Sequence, residues 1–243
     1  TMPGNRSRVW EFMLDLAHRN WNDSTGVGAY ISEYSNPDSL AFYTGTPYLE
    51  KAWEDQLSGH WKFEEGSGDT AFDNSGGSNS GVRTTGSTWT WTSGKWGGGL
   101  SLSTGDSVKV VDNAAFNGGT SGFTIMAWVK PTAALTSSSR IFGKFGTNGY
   151  KMTGGGGDVV QLTLNGTTFS DRTDIGSGSW HHVAVMYHKR TAPVPDTVKL
   201  FVDGKTDTII TGTYSFDASG VNALMGPGFA GTLDDVRFYN ERL

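Results

Sequence analysis

From His60 to the C terminus, short runs of alternating apolar and polar residues are separated by clusters of Gly, Ser, Asn and Asp. No other property of the chain narrows its possible folds as far. The runs are HWKFEE, GGLSLS, SVKVVD, FTIMAWVKP, RIFGKF, YKMTG, VVQLTLN, WHHVAVMYHK, TVKLFVDG, TIITGTYSF and GTLDDVRFYN. In FTIMAWV, Phe123, Ile125, Ala127 and Val129 fall on one side; in TVKLFVD, Val198, Leu200 and Val202 do. A period of two marks a half-buried strand, because successive side chains leave a pleated backbone on opposite faces. Strands this short and this frequent require an antiparallel sandwich or barrel. About a dozen of them suit two packed sheets in a jelly roll. The expected fold class is therefore all-β, a two-sheet antiparallel jelly-roll sandwich, with helices nearly absent after Gly59.

Composition removes several function classes. The net charge is −5 and no long basic run exists, so nucleic acid is not an expected partner, since phosphate neutralisation needs clustered Lys and Arg. With no cysteine, disulfides and thiolate metal sites are excluded. No apolar run approaches the roughly 20 residues that span a bilayer, so membrane insertion is not expected. The opening TMPGNRSRVW lacks the apolar segment of a signal peptide. TMPGNRS and YNERL are read as the limits of an excerpt or of a processed product.

Residues 1–57 differ from the rest and are read as an N-terminal extension or the tail of a preceding domain, with the main domain at 58–243. Val9 to Trp21 carries apolar residues at Trp10, Met13, Leu14, Ala17 and Trp21, the helical spacing; the same residues also fit a strand with Trp10, Phe12 and Leu14 alternating. AYISEY and LAFYT read as strands. Thr46 to Leu57 reads as a short helix with Thr46 as N-cap and Pro47 in its first turn.

Six segments in fixed order carry a family resemblance. They are Trp61 to Gly68 (WKFEEGSG), Asp73-Asn74-Ser75-Gly76, Phe123 to Pro131 (FTIMAWVKP), Trp180 to Ala184 (WHHVA), Phe201 to Lys205 (FVDGK) and Gly231 to Asn240 (GTLDDVRFYN). Together they resemble the laminin-G-like jelly-roll family of the concanavalin A-like lectin/glucanase superfamily, over about residues 59–243. The N-terminal segment is similar at a few positions to the last strands of DNRLRE-type β-sandwich domains. The main resemblance implies binding loops rather than catalytic machinery. It also implies a structural Ca²⁺ where the first-strand turn meets the last strand, with Asp73, Asn79 and Asp234 as ligands and Glu64 as a further candidate. A hard cation takes six to eight oxygens, which carboxylates and turn carbonyls supply. The competing reading is that Asp73 makes an Asx-turn and Asp234 caps backbone amides.

Most of the motif residues read as structural. Asp203-Gly204 supplies the positive φ of a two-residue hairpin turn. Trp128 and Trp180 are expected to pack on the sheets, and Trp96 to lie in the core. His181 and His182 occupy adjacent strand positions, point to opposite faces and cannot share a metal.

Catalysis is not expected. Retaining glucanases of this fold place two carboxylates ~5 Å apart on one strand face. Here the strands FTIMAWV and VVQLTLNG have none, and Glu is confined to the region before residue 57, to Glu64 and Glu65, and to Glu241. No phosphate loop or HExxH helix is present. Carbohydrate or glycoconjugate recognition is the leading expectation, in an extracellular or cell-surface protein. Sugars are held by aromatic faces with amides and carboxylates reading hydroxyls. Trp89 and Trp91, on one face of TWTWT, form the expected platform, with Tyr150, Asn148 and Tyr214 as rim residues. The alternative is a structural domain of a surface layer, fibre, filament or virion that binds neighbouring protein subunits. In that case Trp89 and Trp91 are packing residues.

Overall fold

The computed structural model describes residues 27–30, 41–44 and 56–243 apart from 119, 147 and 177. The chain divides into two compact units, Thr1–Asp55 and Gln56–Leu243. In the first, β1 (Val27–Tyr30) pairs antiparallel with β2 (Ala41–Thr44), Val27 opposite Thr44. β2 lies within the expected strand LAFYT, and β1 overlaps the start of AYISEY. The expectations for Val9–Trp21 and for a helix from Thr46 lie outside the described residues. Leu57, expected to close that helix, instead opens a strand.

In the second unit the punctuation read from the sequence becomes two packed sheets. The strands are β3 (Leu57–Trp61), β4 (Thr70–Ala71), β5 (Gly81–Arg83), β6 (Thr90–Ser93), β7 (Gly98–Leu102), β8 (Val108–Val110), β9 (Gly122–Pro131) and β10 (Arg140–Lys144). They continue with β11 (Tyr150–Gly155), β12 (Val159–Leu164), β13 (Thr167–Ser170), β14 (His181–His188), β15 (Asp196–Val202), β16 (Lys205–Gly212), β17 (Ala223–Met225) and β18 (Gly231–Tyr239). The front sheet has the order β16-β15-β14-β9-β18-β7-β6, with β3 also on β18. The back sheet has the order β13-β12-β11-β10-β17-β8-β5-β4. Every pairing is antiparallel, as in a jelly roll. The one helical turn described after Gly59 is η1 (Ala114–Phe116), capped by the Asn113 side chain.

The alternation seen in the sequence decides what is buried. Phe123, Ile125, Ala127 and Val129 of β9 and Val198 and Leu200 of β15 are fully buried between the sheets. The centre of the sandwich is aromatic: Phe123 lies 4.5 Å from Tyr150, and Trp61 lies 5.6 Å from Phe142, ring centre to ring centre. Each such side chain contributes on the order of 2–3 kcal/mol by leaving water. The β15–β16 turn is the expected Asp203-Gly204 pair, with φ of 49° and 73°. The Asp203 carboxylate also accepts from His182 N (2.9 Å) and pairs with His181 Nδ1 (2.8 Å).

Strand β18 changes partners midway. Gly231–Leu233 face Leu102–Leu100 of β7, whereas Val236–Tyr239 face Trp61–Leu57 of β3. The switch falls at Asp234-Asp235, where Asp235 takes a φ of 49° and the register slips. Such a bulge breaks strict alternation. Both carboxylates are consequently buried, Asp234 1% and Asp235 4% exposed, where simple alternation expected one of them in solvent.

Candidate functional site

The loop between β6 and β7, Gly94-Lys95-Trp96-Gly97, is held at its base by two carboxylates. Gly94 N donates to Gly97 O (2.9 Å), closing the turn. Asp234 Oδ2 accepts from Trp96 N (2.9 Å), and Glu64 Oε2 accepts from Gly98 N (2.8 Å). Gly94 is required here, because a Cβ would stand 1.9 Å from Gly98 O. This turn projects Trp96, which is 44% exposed, correcting the expectation that it lies in the core. The Trp96 ring meets Trp128 edge-on at 6.5 Å, and Trp128 meets His182 at 5.2 Å. The Lys95 ammonium sits 4.6 Å above Trp128 and 5.7 Å from Trp96.

Trp128 is opposite Asp234 in the β9–β18 register, so this whole group lies on the outward face of the front sheet. Its indole Nε1 has no hydrogen-bond partner. Burial raises the Asp234 carboxyl to about 7, against the loop amides that hold its charged form; the neighbouring Asp235 adds to the rise. Beside it, His60 Nε2 lies 2.6 Å from Asp235 Oδ1, Arg237 Nη2 reaches the same oxygen at 3.1 Å, and Arg237 Nε lies 3.2 Å from His60 Nε2. Burial lowers the His60 pKa, so the ring is neutral. This triad ties β3 to β18. Chemically, the cluster offers one exposed indole, Trp96, backed by the buried Trp128 and His182 rings and flanked by the Lys95 ammonium: a surface for C–H stacking plus a cationic donor.

The residues nominated from the sequence as a sugar platform are not assembled into one. Trp89 is only 1% exposed, covered by the Arg83 guanidinium 4.1 Å above its ring, and so is a packing residue. Trp91 is half-buried, edge-on to Trp89 at 5.2 Å, and donates its Nε1 to Gly68 O (3.0 Å). Tyr150 belongs to β11 rather than a loop. It is fully buried and donates its hydroxyl to Phe116 O (2.7 Å). Asn148 is exposed, its carbonyl taken by Asp217 N. Tyr214 meets Phe169 edge-on (4.9 Å) beyond the end of β16, at the opposite edge of the front sheet from Trp91 on β6. Near it a cleft of about 260 Å³ is lined by Lys189, Arg190, Pro193 and Thr213 over the buried Asp196. Trp96, Trp128 and Lys95 were not among the residues nominated. The signal that finds Trp96 is local: an indole inside SGKWGGG sits in a turn, where few neighbours can cover it.

The calcium expectation can be tested against the same geometry. Asp73 Oδ1 accepts from His60 N and Ser75 N, and Oδ2 from Ser75 Oγ and Asn79 N, all within 2.9 Å. That is an Asx-turn with both oxygens satisfied. The Asn79 side chain is likewise engaged, donating to Ser58 O (2.9 Å) and accepting from Asn113 Nδ2 (2.8 Å). Glu64 and Asp234 hold the Trp96 turn. Among the described residues no three His, Asp or Glu side chains are grouped to hold a metal ion. As arranged, these donors do not fit a calcium centre. The expected result is that excess EGTA shifts the Tm by less than about 1 °C relative to millimolar CaCl₂, since a ligand of the folded state raises Tm only where it binds. A loss of several degrees would show that the carboxylates regroup around a cation.

The fold places the chain among two-sheet antiparallel jelly-roll sandwiches, and the sequence agrees. Residues 102–243 match the family described as the concanavalin A-like lectin/glucanases superfamily, and the chain belongs to it. No curated protein sequence matches the chain. Among solved structures it is similar to domain 4 of AbnA, a GH43 extracellular arabinanase from Geobacillus stearothermophilus, in complex with arabinotriose. The TM-score is 0.60 at 21% identity, covering 77% of this chain and 94% of that one. It is also similar to the binding domain of botulinum neurotoxin serotype D (TM-score 0.55, 14% identity, 79% of this chain and 49% of that one). A third similar structure is the Trypanosoma rangeli sialidase in complex with sialic acid (TM-score 0.53, 15% identity, 78% of this chain and 31% of that one). The chain thus spans about a half and a third of those last two. Among the described residues no helix is long and apolar enough to cross a membrane.

Proposed function

We propose that residues 56–243 form a non-catalytic carbohydrate-binding module of an extracellular or surface protein, with Trp96 as its principal sugar-stacking residue. The observation that carries this reading is an exposed indole on a turn clamped by Asp234 and Glu64, with Trp128 and Lys95 against it. A rigid, pre-positioned aromatic ring loses little entropy on binding, which is how flat sugar faces are captured. The family and the similarity to an arabinanase domain solved with arabinotriose support the same class of ligand. Multivalency in a parent protein would raise a modest single-site affinity.

The test is binding to a panel of neutral polysaccharides that begins with arabinan. Trp96→Ala is expected to weaken binding at least about tenfold, as loss of a stacked aromatic costs roughly 1.4 kcal/mol or more. Trp89→Phe, in the packed interior, is expected to leave affinity unchanged. If no polysaccharide binds while the fold is intact, the module is a structural domain whose partners are neighbouring protein subunits.

A further inference from the structure

The outward face of the back sheet, on the other side of the sandwich from the front sheet, carries positive charge that no acidic side chain among the described residues pairs; the Lys151 ammonium donates only to a backbone carbonyl, Ser137 O (3.2 Å). Two register rows define it. One runs through Lys109, Leu224, Gly143, Lys151 and Thr163; the next through Arg140, Thr153 and Gln161. Neither contains a carboxylate. Among the described residues neither Arg140 nor Lys151 has an acidic side chain in salt-bridge range, although both are half-buried and the whole chain has a net charge of −5. The two cations feel each other: the Lys151 pKa is lowered by partial burial and then by the Arg140 charge. Two like charges held together without a counter-ion leave an unmet demand for an anion.

Two further features give this place the form of a sugar site. Thr153, directly opposite Arg140 on one side and Gln161 on the other, is 1% exposed, and its Oγ1 has no hydrogen-bond partner. A buried hydroxyl without a partner is costly and is normally satisfied by protein or by an ordered water, which a ligand hydroxyl can replace. The Phe145 ring lies 5.0 Å from the Lys151 ammonium, supplying an apolar surface next to the charge. Gly143, opposite Lys151, lets the Lys151 strand approach closely: a Cβ there would stand 2.7 Å from Lys151 Cα and Cβ.

We propose that this face is a second binding site, specific for the oxyanion of an acidic sugar, with Arg140 and Lys151 holding the anion and Gln161 and Phe145 contacting the ring. The site rests on the carbohydrate-binding reading, but its test is separate from that of Trp96. The probes are polygalacturonate, which carries carboxylates, and a heparin-type oligosaccharide, which carries sulfates, each with neutral arabinan as the comparison. Wild-type protein is expected to bind at least one acidic polymer, and to bind it several-fold more weakly at 300 mM than at 50 mM NaCl, as screening requires. Arg140→Gln/Lys151→Gln is expected to lose at least tenfold for the acidic polymer and nothing for arabinan, whereas Trp96→Ala does the reverse for arabinan. Lys151→Arg, which keeps the charge, should retain most of the acidic-polymer binding. Unchanged acidic-polymer affinity in the double variant overturns the proposal, as does equal loss for neutral and acidic polymers, or no binding of either acid by the wild type. Unchanged acidic-polymer affinity, or no acidic binding by the wild type, leaves the Trp96 platform standing. If the double variant has a lowered Tm, Lys151→Glu alone serves, with the same expected loss.

Discussion

Replacing Lys144 by Ala is expected to lower the Tm by about 10 °C, the largest single-residue effect predicted for this domain. Lys144 ends β10 with its side chain fully buried. Its ammonium binds the Asp112 carboxylate, Asn113 O (3.2 Å) and Asn117 Oδ1 (2.7 Å). These partners bracket η1, whose Phe116 is fully buried in the aromatic centre and accepts the Tyr150 hydroxyl. One ammonium therefore holds the β8–β9 connection against the back sheet. Removing it leaves a cavity, two oxygens without a donor and an uncompensated carboxylate. Breaking a buried ion pair costs roughly 3–5 kcal/mol. The lower end applies because the Asp112 side chain is 38% exposed and can rehydrate. For a domain of this size about 3 kcal/mol corresponds to roughly 10 °C. The double variant Lys144→Met/Asp112→Asn should recover part of the loss by removing the stranded charge. A change of less than about 2 °C in Lys144→Ala would mean that η1 is held by its apolar contacts alone.

The second large effect is in pH dependence. Asp234 has a folded-state pKa of about 7 because it is buried beside Asp235, whereas an unfolded Asp titrates near 3.9. Between these values the folded protein holds one proton more than the unfolded chain. Stability from this group is thus fully present below about pH 4, declines as pH rises through about 7, and is flat above about 8. The span corresponds to on the order of 3–4 kcal/mol. Burial of His60, whose pKa is lowered, works in the opposite direction below about 6.5, so wild-type unfolding alone does not isolate Asp234. Asp234→Asn does. Its amide oxygen can still accept from Trp96 N, and it carries no charge at any pH. The variant should match the wild type below about pH 4, pull ahead as pH rises, and exceed its Tm by several degrees at pH 8. Equal stability of the two proteins at both pH values would show Asp234 ionised throughout, held by the three loop and strand amides around it.

Much of the fold was legible because its determinants are local. Alternation in FTIMAWV and TVKLFVD gave the inward faces of β9 and β15, since two-residue periodicity is a property of the strand itself. Asp203-Gly204 announced its turn because few residue pairs tolerate positive φ twice in succession. The first strand was placed too late. HWKFEE was read as a strand, but pairing ends at Trp61, and Phe63 takes a φ of 57° to carry the chain beneath Gly98. A non-glycine residue in that conformation is held by surrounding structure and leaves no mark in the residue pattern.

The site was less legible, and the reason is the same one seen from the other side. Alternation says that Trp89 and Trp91 share a face, but not that Arg83 lies on top of it. It marks Tyr150 as aromatic beside a Gly-rich loop, but not that its ring closes the core against Phe123 and Phe238. The residue pattern marks Asp73, Asn79, Asp234 and Glu64 as oxygen-bearing side chains, for which the family resemblance implies a calcium role. What their oxygens accept from was decided by tertiary structure: Asp73 by its own turn and His60 N, Asn79 by Asn113, Glu64 and Asp234 by the loop that presents Trp96.

The sequence by itself determined the all-β class, most of the strand segments, the inward faces and the family, because each depends on spacing along one short stretch. Tertiary structure alone decided which aromatic rings reach solvent and which carboxylates hold a loop. Those outcomes depend on neighbours brought together by non-local pairing: Trp96 N and Asp234 meet across 138 residues of chain. Burial is a property of what lies above a side chain, and in a sandwich that neighbour comes from a distant strand.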